Sequence, residues 1–498
     1  MASGYGSIPG RLGRPVRRAL PHLLVLLPGF GGSALRRGDE EIWGTGAALA
    51  RAIANPGRLA SPEARLDDPE YEDGVEAHDL MAIPVPGFSR ILGPYQKLRS
   101  SLRRHFELDD ANYLEFAYDW RRPVAVNSAG LAGAVAPRLA ALRERSPAAG
   151  VIFVAHSMGG LVAVDYVRRH DVRRDCHRVY TLGTPFRGAV KALDALANGP
   201  RVGPVPSERL PLGHLMEALH RLPSVYELLP LYPVITDARN GRVPPAGRVA
   251  ELAGAIAGLD AGRARASREF LLELNAPHER LSVVRPVIGY GQRTAQHAVL
   301  HPGGRLEVSK AVGLAAAAAE DSGGDGTVPA VSASPAVYQE VPPVYCNQTH
   351  NGLAHGGDQV DELVRMLGYD LSRLGRHRPV LSPGRPETPA PAHAREEAEP
   401  DDFGPPEARA LGLDLADAYL TGEPVTVAGR AEGFEAGDTL WFRFAAGPSP
   451  GTGDPATTVV EDGGSFAIPL GLVRPGLYTL SVAASPRGDG LLDVVHVS

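Results

Sequence analysis

The chain has 498 residues, 44% apolar and 22% charged, which is long enough for two domains and a large buried core. Its 51 basic and 57 acidic side chains leave a net charge of −6, giving no electrostatic ground for binding nucleic acid or an anionic membrane surface. Two cysteines, Cys176 and Cys346, cannot build a disulfide framework and stand in no metal-ligand spacing. A reducing, cytoplasmic setting is therefore expected, with no metal and no organic cofactor.

Arg17 and Arg18, followed by "ALPHLLVLLPG", imitate a secretory leader. The apolar core is only about ten residues and contains Pro21, against the ~20 that a membrane span needs. Residues 22–27 are read instead as a core strand, because the glycines after them carry chemistry. No transmembrane segment is expected, and any membrane contact is transient and at the surface. "HLLVLLPG", "VIFVAHS" and "RVYTLGTP" are continuous apolar runs, which suits a parallel sheet covered on both faces. Helical periodicity over 130–146 lies between the first two and the pattern reads as an α/β domain over 1–374.

From about 195 to 277 the sequence turns apolar and proline-punctuated, with helical stretches and no sheet strand expected, as in an inserted cap. Sheet-like sequence resumes over 283–294. Residues 375–407 have the Pro, Ala and acidic content of a semi-rigid linker. Beyond them, over 408–498, short alternating runs such as "EPVTVAGRAEG", "DTLWFRFAA", "SFAIPLGLV" and "GLYTLSVAASP" predict an all-β, Ig-like sandwich.

The chemistry starts at "VIFVAHSMGGLVAVDYVRRH", residues 151–170. A serine between a buried strand and a helix is lifted off the sheet's carboxyl edge, while the helix N-terminus aims N–H groups at the same spot. Ala155-His156-Ser157-Met158-Gly159 approximates G-x-S-x-G, with alanine as the first small residue. Such a serine needs an orienting acid, a base and an oxyanion hole. In the chain order Ser, Asp, His, the acid is Asp325 in "DSGGDGTVP", with Asp321 competing in the same loop and an ordinary Gly-Asp turn as the bland alternative. The base is His350 in "VYCNQTHNGLAH", just past a strand-like run, with His355 as its rival. For the oxyanion hole, Met158 N–H follows the nucleophile, and Phe30 N–H comes from the glycine-rich "LLPGFGGSAL". That stretch fails as a phosphate cradle, since no Gly-Lys-Ser/Thr follows.

Together with "EIWG", "FAYDWRRP", "TLGTPFRGAV", "LPSVYELLP", "VIGYGQRT" and "HNGL", these segments make residues 23–374 resemble the lecithin:cholesterol acyltransferase family of α/β-hydrolases. The resemblance implies an α/β-hydrolase fold with a mainly parallel sheet and a cap. It also implies Ser157, Asp325 and His350 as nucleophile, acid and base. It makes Asp119 of "YDWR" a scaffold residue and puts Trp43 near an acyl pocket or lid. Met216 and Tyr226 of the apolar cap suit such a pocket, though plain cap packing explains them equally. The family's secreted vertebrate members have disulfides this chain cannot form and lack the C-terminal β region, so their acceptor preferences do not carry over. The expected function is lipid O-acyl transfer or phospholipase action through an acyl-enzyme, on a lipid or other acyl ester with an alcohol or water as acceptor. A general carboxylesterase or triacylglycerol lipase is the near alternative, and a non-catalytic binding protein on a hydrolase scaffold the remote one. The ligand of the sandwich is left open.

Overall fold

The computed structural model of the chain describes residues 17–45, 47–48, 51–52, 55–81, 95–199, 213–239, 246–309, 323–335, 343–374, 410–414, 424–432, 434–446, 455–474, 476–485 and 491–497. The linker expected over 375–407 and the competing Asp321 lie outside them.

Six strands form the central sheet: Leu23–Leu27 (β1), Tyr113–Glu115 (β2), Val151–His156 (β3), Cys176–Leu182 (β4), Val284–Gly289 (β5) and Val344–Cys346 (β6). Their order is β2-β1-β3-β4-β5-β6, and every neighbouring pair is parallel. Helices Gln96–His105 (α1), Val124–Arg145 (α2), Met158–Arg169 (α3), Gly352–His355 (α4) and Gly357–Leu374 (α5) cover it. In β1, Leu23, Val25 and Leu27 pack with Leu131 and Val135 of α2 and Leu161 of α3. Leu24 and Leu26 face the other layer, with Leu98 and Leu102 of α1 and Leu363 of α5. Both faces being covered explains why "LLVLL" and "VIFVAH" are apolar without alternation; each such side chain contributes about 1.5–3 kcal/mol.

α2 begins at Val124, six positions before the expected 130, because the buried Glu227 carboxylate accepts the Val124 N–H at 2.7 Å and caps its start. Burial pushes the Glu227 carboxyl up to about 8. Among the described residues α2 is the one helix long and apolar enough to cross a membrane. Its Leu131, Val135, Leu139 and Leu142 stripe is nevertheless spent on the sheet.

Two features depart from the expected pattern. Ser33–Arg37, Glu40–Trp43 and Val75–Leu80 form a small antiparallel sheet beside β1, where only a glycine-rich turn was read. The 195–277 region also contributes a strand, Ile235–Asp237, which pairs with His297–Leu300. That strand has only three residues, too short to show a period.

The C-terminal residues form two antiparallel sheets. One joins Ala410–Asp414 (β7), Pro424–Glu432 (β8) and Ser465–Leu472 (β11). The other joins Thr439–Ala446 (β9), Ala456–Val459 (β10), Gly476–Ala483 (β12) and Leu491–Val497 (β13). Val427 and Ile468 from the first and Leu440 and Val482 from the second meet in one apolar cluster.

In the central sheet the chain leaves β1 toward β2 on one side and returns to β3 on the other. This reversal opens a crevice at the carboxyl ends of β1 and β3, where ligands bind in open α/β sheets.

Candidate active site

Ser157 stands at that crevice, one residue past β3, with φ 52° and ψ −126°. A left-handed φ is costly for any residue with a Cβ, about 1–2 kcal/mol. The turn is held on both sides: the Ser157 N–H donates to Leu182 O at 2.9 Å, and its carbonyl accepts from Gly160 N–H and Thr184 Oγ1, both at 2.9 Å. Two small neighbours make room. A Cβ on Gly159 would lie 2.3 Å from the Pro28 carbonyl oxygen, and one on Gly29 would lie 2.9 Å from Ser157 Cβ. The "PGFGG" loop after β1 therefore abuts the serine. Met158 is the first residue of α3, where N–H groups lack intrahelical partners.

The "YDWR" segment braces this loop from behind. Tyr118 Oη donates to Pro28 O at 2.7 Å, and Trp120 Nε1 donates to Ser33 O at 3.1 Å. Asp119 binds the fully buried Arg121, whose guanidinium also grips Asp73 and the Leu59 carbonyl. Phe30 packs edge-on against Trp120, with ring centroids 4.9 Å apart. Trp43 lies in the same aromatic group, 2% exposed, and donates its indole N–H to Gly31 O at 2.8 Å. Its indole thus fixes the loop that carries Phe30. In the cap, Met216 packs on Gly199, and Tyr226 Oη accepts the Asp260 N–H at 3.2 Å. Those contacts lie within residues 195–277 and involve none of Ser157, Asp325 or His350.

His350 stands four residues past β6 and Asp325 lies in a loop well beyond β5, and the two meet over the same sheet edge. His350 Nδ1 and Asp325 Oδ2 are 2.6 Å apart, both side chains are 1% exposed, and the His350 N–H donates to the Asp325 carbonyl at 2.8 Å. Asp325 Oδ1 accepts the N–H groups of Thr327 and Val328, at 2.9 and 2.7 Å. One carboxylate oxygen therefore closes the Gly-Asp turn while the other bonds the imidazole. A glycine must sit beneath them, since a Cβ on Gly183 would lie 2.7 Å from Asp325 Oδ2 and 3.0 Å from His350 Nδ1. His350 Nε2 is buried and has no hydrogen-bond partner, so the Asp–His pair is one bond short of a closed triad with Ser157. His355 lies further on, buried at the end of α4; the imidazole bonded to Asp325 is that of His350.

One network was not foreseen. The Gly29 N–H donates to Tyr95 Oη at 2.8 Å, Tyr95 O–H donates to His156 Nδ1 at 3.0 Å, and His156 Nε2–H donates to the His350 carbonyl at 3.0 Å. The carbonyl accepts only, which fixes the His156 tautomer. Burial, followed by the neighbouring His350, lowers His156 to about 3, so the relay is neutral. It ties the loop after β1, the serine turn and the base loop into one polar unit. His156 stood inside the serine motif, but nothing local marked Tyr95. Among the described residues no His, Cys, Asp and Glu cluster could hold a metal ion.

A six-stranded parallel sheet with helices on both faces, a strained serine on a strand-to-helix turn and an Asp–His pair over the same edge define the α/β-hydrolase class. Within it, residues 95–240 match the sequence profile of the lecithin:cholesterol acyltransferase family, to which that part of the chain is similar. The matched segment is narrower than the 23–374 span over which motifs were read. No curated protein compared matches the chain. Among solved structures, the Tle4–Tli4 complex covers 72% of this chain and 99% of its own at 14% identity, with a TM-score of 0.46. Mature Bacillus licheniformis lipase BlEst2 covers 71% and 96% at 15% identity, with a TM-score of 0.33. The lin2722 gene product of Listeria innocua covers 70% and 93% at 12% identity, with a TM-score of 0.28. At such TM-scores the likeness is distant, and the class rests on the sheet order and the serine turn.

Proposed function

We propose that the protein is a serine-dependent lipid acyl-ester hydrolase or O-acyltransferase of the LCAT-like kind. The observation that carries this reading is the buried 2.6 Å bond between His350 Nδ1 and Asp325 Oδ2, with Nε2 left unpartnered, over the same sheet edge as the strained Ser157. In this reading Ser157 Oγ attacks the ester carbonyl and His350 Nε2 takes its proton, while Asp325 stabilises the imidazolium. The N–H groups of Met158 and Phe30 receive the oxyanion. Collapse of the tetrahedral adduct breaks the ester C–O bond, and the leaving alcohol takes the proton from Nε2. Water or an acceptor alcohol then attacks the acyl-enzyme, gives its proton to Nε2, and releases acid or a new ester as Oγ is reprotonated. The Oγ–Nε2 bond forms in the substrate complex, since such bonds often tighten only then. Lipid as the substrate class rests on the family match and on the apolar cap. The two C-terminal antiparallel sheets are read as a β-sandwich accompanying the catalytic domain.

Wild type and Ser157→Ala are incubated with a phospholipid, with and without a hydrophobic alcohol, and free fatty acid and new ester are measured. Wild type should release acyl product and label with a fluorophosphonate. Ser157→Ala should lose about 10³-fold or more in rate and all labelling. Product formation by Ser157→Ala at the wild-type rate sinks the serine mechanism.

A further inference from the structure

Three residues past β5, Gln292 is 2% exposed and lies where the catalytic and C-terminal parts of the chain meet. Its main chain pairs with the acid loop: the Gln292 N–H donates to Gly324 O at 2.9 Å, and the residue is bridged to both Gly324 and Asp325. Its side chain points the other way. Nε2 donates to Asn347 Oδ1, between β6 and His350, and to Leu411 O of β7, each at 3.0 Å. Oε1 accepts the Leu413 N–H of β7 at 3.3 Å. β7 is an edge strand, paired on its other side with β8. Edge strands present unpaired N–H and C=O groups at alternate residues, and the Gln292 amide satisfies one such pair as a neighbouring strand would. The same C-terminal module reaches the base side, where β13 lies against α4, the helix that follows His350.

We propose that Gln292 is a positioning residue through which the C-terminal β-module holds the acid and base loops in register, so that the module is a structural part of the active site. This inference rests on the serine-esterase reading above. It differs from a role for the module in recruitment to lipid surfaces, which would leave the turnover of a soluble ester untouched. The loops concerned are the ones that need such a brace. Asp325 stands 36 residues beyond β5, and its pairing with the sheet passes through Gln292 and Gly324.

The test uses the full chain with Gln292→Met, which keeps the length and removes the amide. Gln292→Asn, one methylene shorter, stays polar but withdraws the amide from β7. Each is assayed on a short soluble p-nitrophenyl ester, with rates normalised to active sites titrated by a fluorophosphonate, so that misfolded protein drops out. Both variants should lose at least tenfold in kcat with KM within twofold, and the Leu413 amide should exchange faster with deuterium. A kcat per titrated site within twofold of wild type in both variants overturns the proposal. So does a loss confined to lipid vesicles. Ser157→Ala is run alongside. Activity surviving that substitution defeats the serine reading itself, whereas an inactive Ser157→Ala beside fully active Gln292 variants defeats only the brace.

Discussion

Ser157 is held by its neighbours in β3, β4 and α3, whereas Asp325 and His350 are held by partners gathered from distant parts of the chain. The serine turn is bonded to Leu182, Gly160 and Thr184, all within the contiguous β3-α3-β4 unit and the two residues after it. The acid–base corner depends on bonds from His350 to Asp325, from Gln292 to Gly324, and from Gln292 to β7 of the C-terminal module. A rigid local frame can hold a side chain in a strained backbone conformation, since strand and helix fix both flanks. A corner assembled from loops has no such frame, and its precision comes from bonds made late and at long range. The first corner should thus break through stability and the second through activity.

The sharpest separation is expected from Asp325→Asn. The amide oxygen can still accept the Thr327 and Val328 N–H groups that Oδ1 accepts now, so the turn persists. The carboxylate that in the proposed mechanism orients and stabilises the imidazolium is gone, and kcat should fall by about 10³–10⁴-fold. Urea unfolding should remain close to wild type. A large stability loss with modest kinetic damage would mean that the acid loop is scaffold and that another group orients His350.

How much could be read from the sequence follows the same division. Residues 151–170 displayed the serine turn openly, since a buried strand, a small-residue turn and a helix are local patterns with distinct periods. "GDGTV" was legible as a turn, but that its two carboxylate oxygens serve different partners required the fold. Tyr95 gave no signal, and Gln292 stood in the quoted "VIGYGQRT" without its role being legible: each side chain works through bonds to residues more than fifty positions away, and neither type is unusual in a loop or helix start. Trp43 could be placed near the site but not assigned its bond to Gly31, because the strand carrying it belongs to a small sheet whose exposed arginines and glutamates hide the alternation. β7 was not among the strand-like runs read, and it is the strand that the Gln292 side chain links to the Asp325 loop.

Acid should weaken the serine corner. His156 is neutral in the fold, lowered to about 3, while an unfolded chain carries an imidazole near the ordinary value of 6.5. Below pH 6.5 the unfolded state binds a proton that the folded state refuses. The stability this site contributes is thus complete above pH 6.5 and is lost as pH falls toward 3. At pH 5 the loss is about 2 kcal/mol by linkage. Urea unfolding from pH 7.5 to 5 should show this slope in wild type, and His156→Gln should flatten it by about that amount. An unchanged slope in His156→Gln would mean that this imidazole reaches solvent.

The smallest effect tests the strain itself. At φ 52° and ψ −126° any Cβ is penalised, so Ser157→Ala removes the nucleophile without relieving the turn, while Ser157→Gly removes both. Against the relief of about 1–2 kcal/mol stands the greater freedom of glycine in the unfolded chain, about 0.4–1 kcal/mol. The net expectation is that Ser157→Gly is more stable than Ser157→Ala by up to about 1.6 kcal/mol, read as a higher urea midpoint at equal slope. The two variants share the loss of the hydroxyl, so the difference isolates the backbone. Equal midpoints, or alanine ahead, would show that the turn relaxes once Oγ is gone. The left-handed conformation would then depend on the serine side chain itself and not on the strand and helix around it, which would reverse the account of why this corner is rigid.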